Sequence, residues 1–200
     1  AKAMARAVAT LREQQRKDGP GPYHFQRIDK SPTETLMFDG HGAPTRKVGL
    51  IHSGFRPSDD ACFYPFLIPS NLFAMSALRM LAQVLNEARD DAAAAQDCAA
   101  LAAEVDAALR AHGQMDDDRG GRVWAYEVDG YGNAIFMDDA NVPSLSGLPL
   151  LGAAERSDPL WQSTAALAWS GRNPYFFTGS AAQGIGGPHI GMDMIWPMSI

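Results

Sequence analysis

The chain has 200 residues, 46% of them hydrophobic and 20% charged, which is an ordinary globular composition with room for a buried core. Its 17 basic and 23 acidic residues give a formal charge of −6, which argues against nucleic acid or an anionic membrane as a partner. A neutral ligand such as a sugar is compatible with that charge. No apolar run approaches the roughly 20 residues of a transmembrane helix.

Helical periodicity predicts three helices in the first half of the chain, each ended by Gly-, Pro- or Asp-containing turns. They cover residues 2–17, the segment behind Pro69 with Ser70 or Asn71 as its cap, and residues 92–110. The last two, joined by a short polar link, form an αα-hairpin. The stretch 23–54 has no periodicity, and loops of that length inside a domain are more often functional than idle.

The second half of the chain combines short strands with short helices. Alternating residues around Asp129–Asn133 predict a β-hairpin of 122–128 with 134–137. One helix is expected from Pro143 to Leu151, and a second, capped by Ser157, from Asp158 to Ser170. A Gly- and Pro-rich loop over 173–200 follows. This order favours a mainly α fold: part of a toroid of helical hairpins, with a small β-hairpin and long loops. The predicted helices are too few to close such a ring.

The first candidate site is the loop HSGFRPSDDA, residues 52–61, just before an apolar helix. The adjacent carboxylates of Asp59 and Asp60 raise each other's pKa, whereas the guanidinium of Arg56 lowers both. One carboxylic acid in such a group can stay protonated near neutral pH and serve as a general acid. The alternative is that both aspartates are solvated turn residues or helix caps, as isolated Asp-Asp pairs commonly are.

The second candidate is MDDANVPS, residues 137–144, between a predicted strand and a predicted helix. Asp138, Asp139 and Asn141 can accept hydrogen bonds from sugar hydroxyls there. Helix capping by Asn141 or Ser144 is the structural alternative. A divalent-cation site is a third interpretation, although the spacing is not that of a helix-loop-helix calcium loop.

The third candidate runs from GIGGPH, residues 184–189, to IWP, residues 195–197. The glycines are not a phosphate loop, because no GK[ST] follows them and no predicted strand precedes them. His189 and Trp196, next to flexible glycines, could form a wall for a pyranose ring, with a core role for Trp196 as the alternative. The five histidines have no zinc-ligand spacing and no GxSxG elbow is present, so we expect neither a catalytic zinc nor a serine nucleophile.

Taken together and in order, HSGFRPSDDA, FLIPSN, YEVDGYGN, MDDANVPSL and GIGGPH followed by IWP resemble the signatures of glycoside hydrolase family 125. They span about residues 48–198, roughly three quarters of the chain. The resemblance implies an (α/α)6 barrel and exo-acting, inverting hydrolysis of α-1,6-linked mannose, without a metal or any other cofactor. The implied partner is a mannose-containing oligosaccharide or N-glycan.

Inversion requires one carboxylic acid to protonate the leaving oxygen and one carboxylate to activate water, about 6.5–9.5 Å apart. The resemblance places the general acid in RPSDDA, on Asp59 or Asp60, and analogy with other helical-barrel glycosidases favours Asp59. The residues implied to bind substrate are Ser53, Arg56, Asp138, Asp139, Asn141, His189 and Trp196.

The general base marks a departure from the family pattern. The family's base is a Glu expected well beyond the IWP string, and the sequence stops at Ile200. Glu127, in the predicted hairpin, is not assigned as the base. We therefore interpret residues 1–200 as a single partial catalytic domain that lacks the C-terminal part of the barrel and is inactive alone. The alternatives are a non-catalytic carbohydrate-binding helical module and a related (α/α)6 glycosidase acting on another glycan.

Overall fold

Two long antiparallel helices organise the structure, a computed structural model that describes residues 2–28 and 31–199. α3 (Ile68–Arg89) and α4 (Ala92–His112) are joined at Asp90, whose φ of 51° is left-handed. The carboxylate of Asp91 then caps α4 by accepting the Ala94 N–H at 3.2 Å. The predicted αα-hairpin is therefore confirmed.

The start of α3 differs from the prediction that Ser70 or Asn71 caps it. The helix begins at Ile68, and its cap residue, Leu67, makes no side-chain capping bond. Asn71 is buried inside the first turn, where its Nδ2 donates to the carbonyls of Ile51 and Leu67 at 2.9 Å each. Its Oδ1 accepts the Ile51 N–H at 2.8 Å. Asn71 therefore fixes the loop that leads into the 52–61 segment.

The other helices pack around this pair. α1 (Lys2–Gln14) lies against α4, with an ion pair between Arg12 and Asp97 at 2.5 Å. α5 (Pro159–Ala168) is capped by Asp158 instead of the predicted Ser157. The remaining helical segments are α2 (Met37–Gly40) and 3-10 turns at Pro32–Glu34, Leu148–Leu151, Pro188–Ile190 and Pro197–Ser199.

Short antiparallel strands form three small sheets. One sheet has the order β1-β4-β5, and the others pair β2 with β3 and β6 with β7. The strands are β1 Phe66–Leu67, β2 Gln114–Asp116, β3 Arg122–Trp124, β4 Glu127–Val128, β5 Ala134–Ile135, β6 Phe176–Thr178 and β7 Gln183–Ile185. Glu127, in the middle strand of the first sheet, is opposite Leu67 on one side and Ile135 on the other.

The strand predictions are partly confirmed. Residues 127–128 and 134–135 form the expected hairpin, but 122–124 pair with 114–116 instead. The tail predicted as a loop contains the β6-β7 hairpin, and Ile200 lies outside the described residues. The prediction of a helix from Pro143 to Leu151 is wrong over most of that range. Only Leu148–Leu151 is helical, because the Asp138 carboxylate captures the N–H groups of residues 145 and 146.

The core lies between the helical pair and the first sheet. Leu101 and Leu109 of α4, Phe66 of β1 and Tyr126 beside β4 have no exposed surface, so the predicted mainly α class with a small hairpin and long loops is confirmed. No helix in the described part of the chain is long and apolar enough to cross a membrane.

Candidate functional site

The 52–61 loop forms a tight reversal that separates its two aspartates. The Ser53 N–H donates to the Pro65 carbonyl at 2.8 Å, and the Arg56 N–H donates to the Asp60 carbonyl at 2.7 Å. Asp59 is at the tip of the reversal, exposed and with a left-handed φ of 73°. Asp60 turns inward and is only 5% exposed. The two neighbouring carboxylates therefore occupy different environments.

Asp60 lies among groups with opposite electrostatic effects. Its Oδ2 accepts the Ser58 hydroxyl at 3.1 Å and is 3.8 Å from Nδ1 of His189. Burial raises the pKa of Asp60 above its ordinary value, against the lowering effects of the Ser58 hydrogen bond and of His189 and Arg56. A carboxyl group in these surroundings is able to hold a proton closer to neutral pH than a solvated one.

Arg56 is held by a buried carboxylate of the first sheet. Its Nε donates to Oε1 of Glu127 at 2.6 Å, and the two side chains are 9% and 0% exposed. Glu127 Oε2 accepts the N–H groups of Phe63 and Tyr64 at 3.0 and 3.1 Å. Arg56 also lies 5.5 Å from the centre of the Tyr126 ring. Glu127 is thereby committed to protein contacts, which agrees with not assigning it as the general base.

Both carboxylate oxygens of Asp138 accept hydrogen bonds from the following loop. Its Oδ1 accepts the Leu145 N–H at 2.8 Å, and its Oδ2 accepts the N–H and hydroxyl of Ser146 at 2.8 and 2.7 Å. Burial raises the pKa of Asp138 to about 6, in spite of these hydrogen bonds. These contacts fix the loop, and the substrate-binding role expected for Asp138 stays a prediction.

Asp139 has one oxygen without a partner. Oδ1 accepts the backbone N–H and the side-chain amide of Asn141, both at 3.0 Å, whereas the buried Oδ2 has no hydrogen-bond partner among the described residues. The carboxylate lies under Gly187, where an added Cβ would be 3.0 Å from both oxygens. The glycine of the GIGGPH string therefore permits close approach of that loop to Asp139.

The loop after β7 carries the remaining predicted site residues. His189 reaches Asp60 with a side chain that is 52% exposed, so it is at the surface of the cluster. Trp196 is half-buried next to β7, and its N–H donates to the Ile185 carbonyl at 3.1 Å. Ser53 is half-buried at the base of the 52–61 loop. The structure thus brings Arg56, Asp60 and His189 together. The carbonyl of Trp196 accepts the N–H and the hydroxyl of Ser199 at 2.9 and 2.8 Å.

Sequence motifs gave no role to two tyrosines of this cluster. The Tyr126 hydroxyl is fully buried without a hydrogen-bond partner among the described residues, next to Arg56 and Asp139. The half-buried phenol of Tyr175 interacts electrostatically with Arg56, Asp60 and Asp139. The one available sequence signal was the aromatic run Tyr175-Phe176-Phe177, which does not indicate which ring faces the carboxylates.

A separate cavity of about 530 Å³ touches the cluster only through Asp138 and Asp139. Its walls are mostly apolar and include Trp161 and Trp169, and Arg56, Asp60 and His189 do not line it. The titratable groups therefore mark the candidate site better than this cavity does. Within residues 2–28 and 31–199, no group of three or more His, Cys, Asp or Glu side chains is arranged to hold a metal ion.

His52 connects the site loop to α1 and gives the fold a pH dependence. Its Nε2 is 2.6 Å from the Thr45 hydroxyl and its Nδ1 is 3.0 Å from the Gln14 carbonyl. Burial, together with the charge of Arg16, lowers the pKa of His52 to about 4. The neutral imidazole is thus favoured by folding, and its stabilising effect is lost as the pH falls from about 6.5 to about 4.

We expect this pH dependence to shrink in a His52→Gln variant. Ionisation of Asp138 acts in the opposite sense, because its raised pKa favours the folded state at low pH. The quantity to measure is therefore the difference in unfolding free energy between wild type and variant, by urea titration at pH 7.5, 6 and 4.5. That difference should narrow as the pH falls. His24→Gln, at an exposed position, is the control, and its difference from wild type should not change with pH. If the difference between wild type and His52→Gln also stayed constant, the assignment of the pH dependence to His52 would be wrong.

Comparison with known proteins identifies the family of this chain. Residues 1–200 match the family model described as metal-independent alpha-mannosidase (GH125). A meiotically up-regulated gene 157 protein of Schizosaccharomyces pombe (strain 972 / ATCC 24843) is 46% identical over 180 residues, 89% of this chain and 35% of that protein.

A solved structure is also similar over nearly the whole chain. It is a metal-independent α-mannosidase from Streptococcus pneumoniae in a non-productive substrate complex with α-1,6-mannobiose. The TM-score is 0.94 at 35% identity, covering 99% of this chain and 47% of that one. The chain therefore spans about a third to a half of the relatives it matches. The family match over residues 1–200 confirms the resemblance: the chain belongs to glycoside hydrolase family 125, the metal-independent α-mannosidases.

Proposed function

We propose that the full-length protein carrying this chain is an exo-acting, metal-independent mannosidase that hydrolyses α-1,6-linked mannose with inversion. The family match supports hydrolysis of α-mannosides, and the Streptococcus pneumoniae structure was solved with α-1,6-mannobiose. Residues 1–200 would then supply part of an (α/α)6 barrel. The observation that carries the proposal for this chain is the buried Asp60, close to His189 and Arg56.

We propose Asp60 as the general acid. Protonation of the leaving glycosidic oxygen requires a carboxylic acid that still carries its proton near neutral pH. Burial of Asp60 favours that form, and the exposed Asp59 has no comparable surroundings. The geometry thus supports Asp60 as the acid. Analogy with other helical-barrel glycosidases had favoured Asp59 instead.

A competing candidate for the acid is Asp193. This aspartate is on the same loop as His189, its side chain is exposed, and its φ of 62° is left-handed. If Asp193 is the acid, Asp60 would be left as a group that binds a sugar hydroxyl, and the two assignments predict different kinetics.

We propose that the general base lies outside residues 1–200, as the family resemblance implies. Glu127 is saturated by Arg56 and two backbone N–H groups, and Asp138 is saturated by its own loop. These two carboxylates are therefore unsuited to activating water. Residues 1–200 alone should bind sugar poorly and turn over no substrate, because one half of an inverting pair is missing.

The polar groups around Asp60 are proposed to hold the mannose ring. Arg56 and His189 offer donors, and Asp139 offers an acceptor with Asn141 beside it. Ser53 and Trp196 complete the proposed pocket. Hydrogen bonds to sugar hydroxyls that strengthen at the transition state would lower the barrier, as in other glycosidases.

A substrate panel tests the proposed function. The full-length gene product is incubated with α-1,6-mannobiose, α-1,2-mannobiose and the glucose disaccharide isomaltose, with and without EDTA. Mannose release from the first substrate, unaffected by EDTA, is expected. Glucose release alone would favour a related glycosidase, and binding of mannobiose without turnover would favour a carbohydrate-binding module. A requirement for metal would overturn the proposal.

A further inference from the structure

Tyr175 is fixed beside the candidate site by hydrogen bonds to the side chain of Asn173 and to the backbone of Gly186. Its N–H donates to Asn173 Oδ1 at 3.1 Å, and its carbonyl accepts the Gly186 N–H at 2.8 Å. Asn173 in turn donates to the Asp138 carbonyl at 3.2 Å, and the Gly186 carbonyl accepts the Ala140 N–H at 2.9 Å. The two hydrogen-bond partners of Tyr175, Asn173 and Gly186, are therefore themselves bonded to Asp138 and Ala140, the residues on either side of Asp139.

The phenol of Tyr175 is half-buried and its ring packs against the core. Within the described residues its hydroxyl makes no hydrogen bond. Burial raises the pKa of this phenol, and the charges of Arg56, Asp60 and Asp139 act on it. Among the described residues, the buried side-chain polar atoms without a hydrogen-bond partner do not include the Tyr175 hydroxyl, so this hydroxyl is accessible to solvent and to a ligand.

We propose that the Tyr175 hydroxyl is a sugar contact: it hydrogen-bonds a hydroxyl of the mannose unit bound next to Arg56 and Asp60, and its ring forms one side of the pocket. This inference rests on the proposed function of the site. A phenol can donate and accept, whereas Arg56 only donates and an ionised Asp139 only accepts. Such a mixture suits a neutral polyhydroxylated ring, whose hydroxyls also donate and accept.

The substitution Tyr175→Phe separates a sugar contact from a packing role. Since the hydroxyl has no partner in the described residues, its removal should leave the melting temperature unchanged or slightly higher. A loss of sugar affinity would then report a contact with the ligand and not a damaged fold. Tyr131→Phe is the matched control, because Tyr131 is 64% exposed at the turn of the β4-β5 hairpin and lies outside the site.

The experiment measures binding of D-mannose to the full-length wild type and both variants by calorimetry, and KM and kcat for α-1,6-mannobiose. Loss of one neutral hydrogen bond should weaken mannose binding by about tenfold in Tyr175→Phe, with no change in Tyr131→Phe. Equal affinity of wild type and Tyr175→Phe would overturn the inference. A wild type that binds mannose but releases none, with weakened binding in Tyr175→Phe, would defeat the hydrolase proposal and support Tyr175. Absence of both mannose binding and mannose release in the wild type would overturn both proposals.

Discussion

Asp60→Asn is expected to lower release of mannose from α-1,6-mannobiose by at least about 100-fold, because a general acid contributes on the order of 10²–10⁴ to the rate. The loss should be much smaller on 2,4-dinitrophenyl α-mannoside, whose leaving group departs without protonation. Steady-state kinetics of the full-length protein on both substrates provide the measurement.

The same turn provides a matched control. Asp59→Asn makes the identical chemical change one residue away, at an exposed position where asparagine tolerates the left-handed backbone. We expect the rates of Asp59→Asn on α-1,6-mannobiose and on 2,4-dinitrophenyl α-mannoside to stay within about twofold of wild type. Asp193→Asn decides between the competing acids. If it shows the leaving-group dependence while Asp60→Asn loses activity equally on both substrates, Asp193 is the acid and Asp60 binds sugar.

Glu127→Gln should be the most destabilising conservative substitution in the site. It removes the charge that compensates Arg56 in a pair whose side chains are 9% and 0% exposed. Breaking a buried pair by neutralising one partner costs about 3–5 kcal/mol of unfolding free energy, since the other charge stays buried without compensation. Urea unfolding followed by circular dichroism measures this, and we expect mannose release to fall as well because Arg56 loses its anchor.

Asp116→Asn is the control for that substitution. Asp116 pairs with Arg122 at 3.3 Å across β2 and β3, but the side chains are 68% and 51% exposed. An exposed pair of this kind contributes less than about 1 kcal/mol. If Glu127→Gln were no more destabilising than Asp116→Asn, the Arg56–Glu127 pair would not be the anchor of the site loop.

The long helices α1, α3 and α4 were predictable from sequence because their apolar patterns are long and local. The αα-hairpin combines strong apolar periodicity with an acidic link, and Asp91 caps α4 as such residues do. The start of α3 was not predictable in the same way. Asn71 had the right chemistry for a cap, yet a contact with Ile51, twenty residues earlier in the chain, used its amide instead.

The sequence motifs located the candidate site, but they did not predict what each of its carboxylates contacts. Asp138 and Asp139 are adjacent in sequence, and nothing local reveals that one closes its own loop while the other keeps an unpaired oxygen. Glu127 likewise gained its partner, Arg56, only through the pairing of β4 with β1. Contacts between residues distant in sequence decide these roles, and no local spacing rule contains them.

The most direct measurement is real-time proton NMR of α-1,6-mannobiose hydrolysis by the full-length protein, recorded before mutarotation equilibrates the product. An inverting α-mannosidase must release β-mannose first, since water attacks the face opposite the leaving group. We predict β-mannose as the first product, at a rate unchanged by EDTA and reduced at least about 100-fold in Asp60→Asn. Initial release of α-mannose, or no release of mannose, would contradict the account.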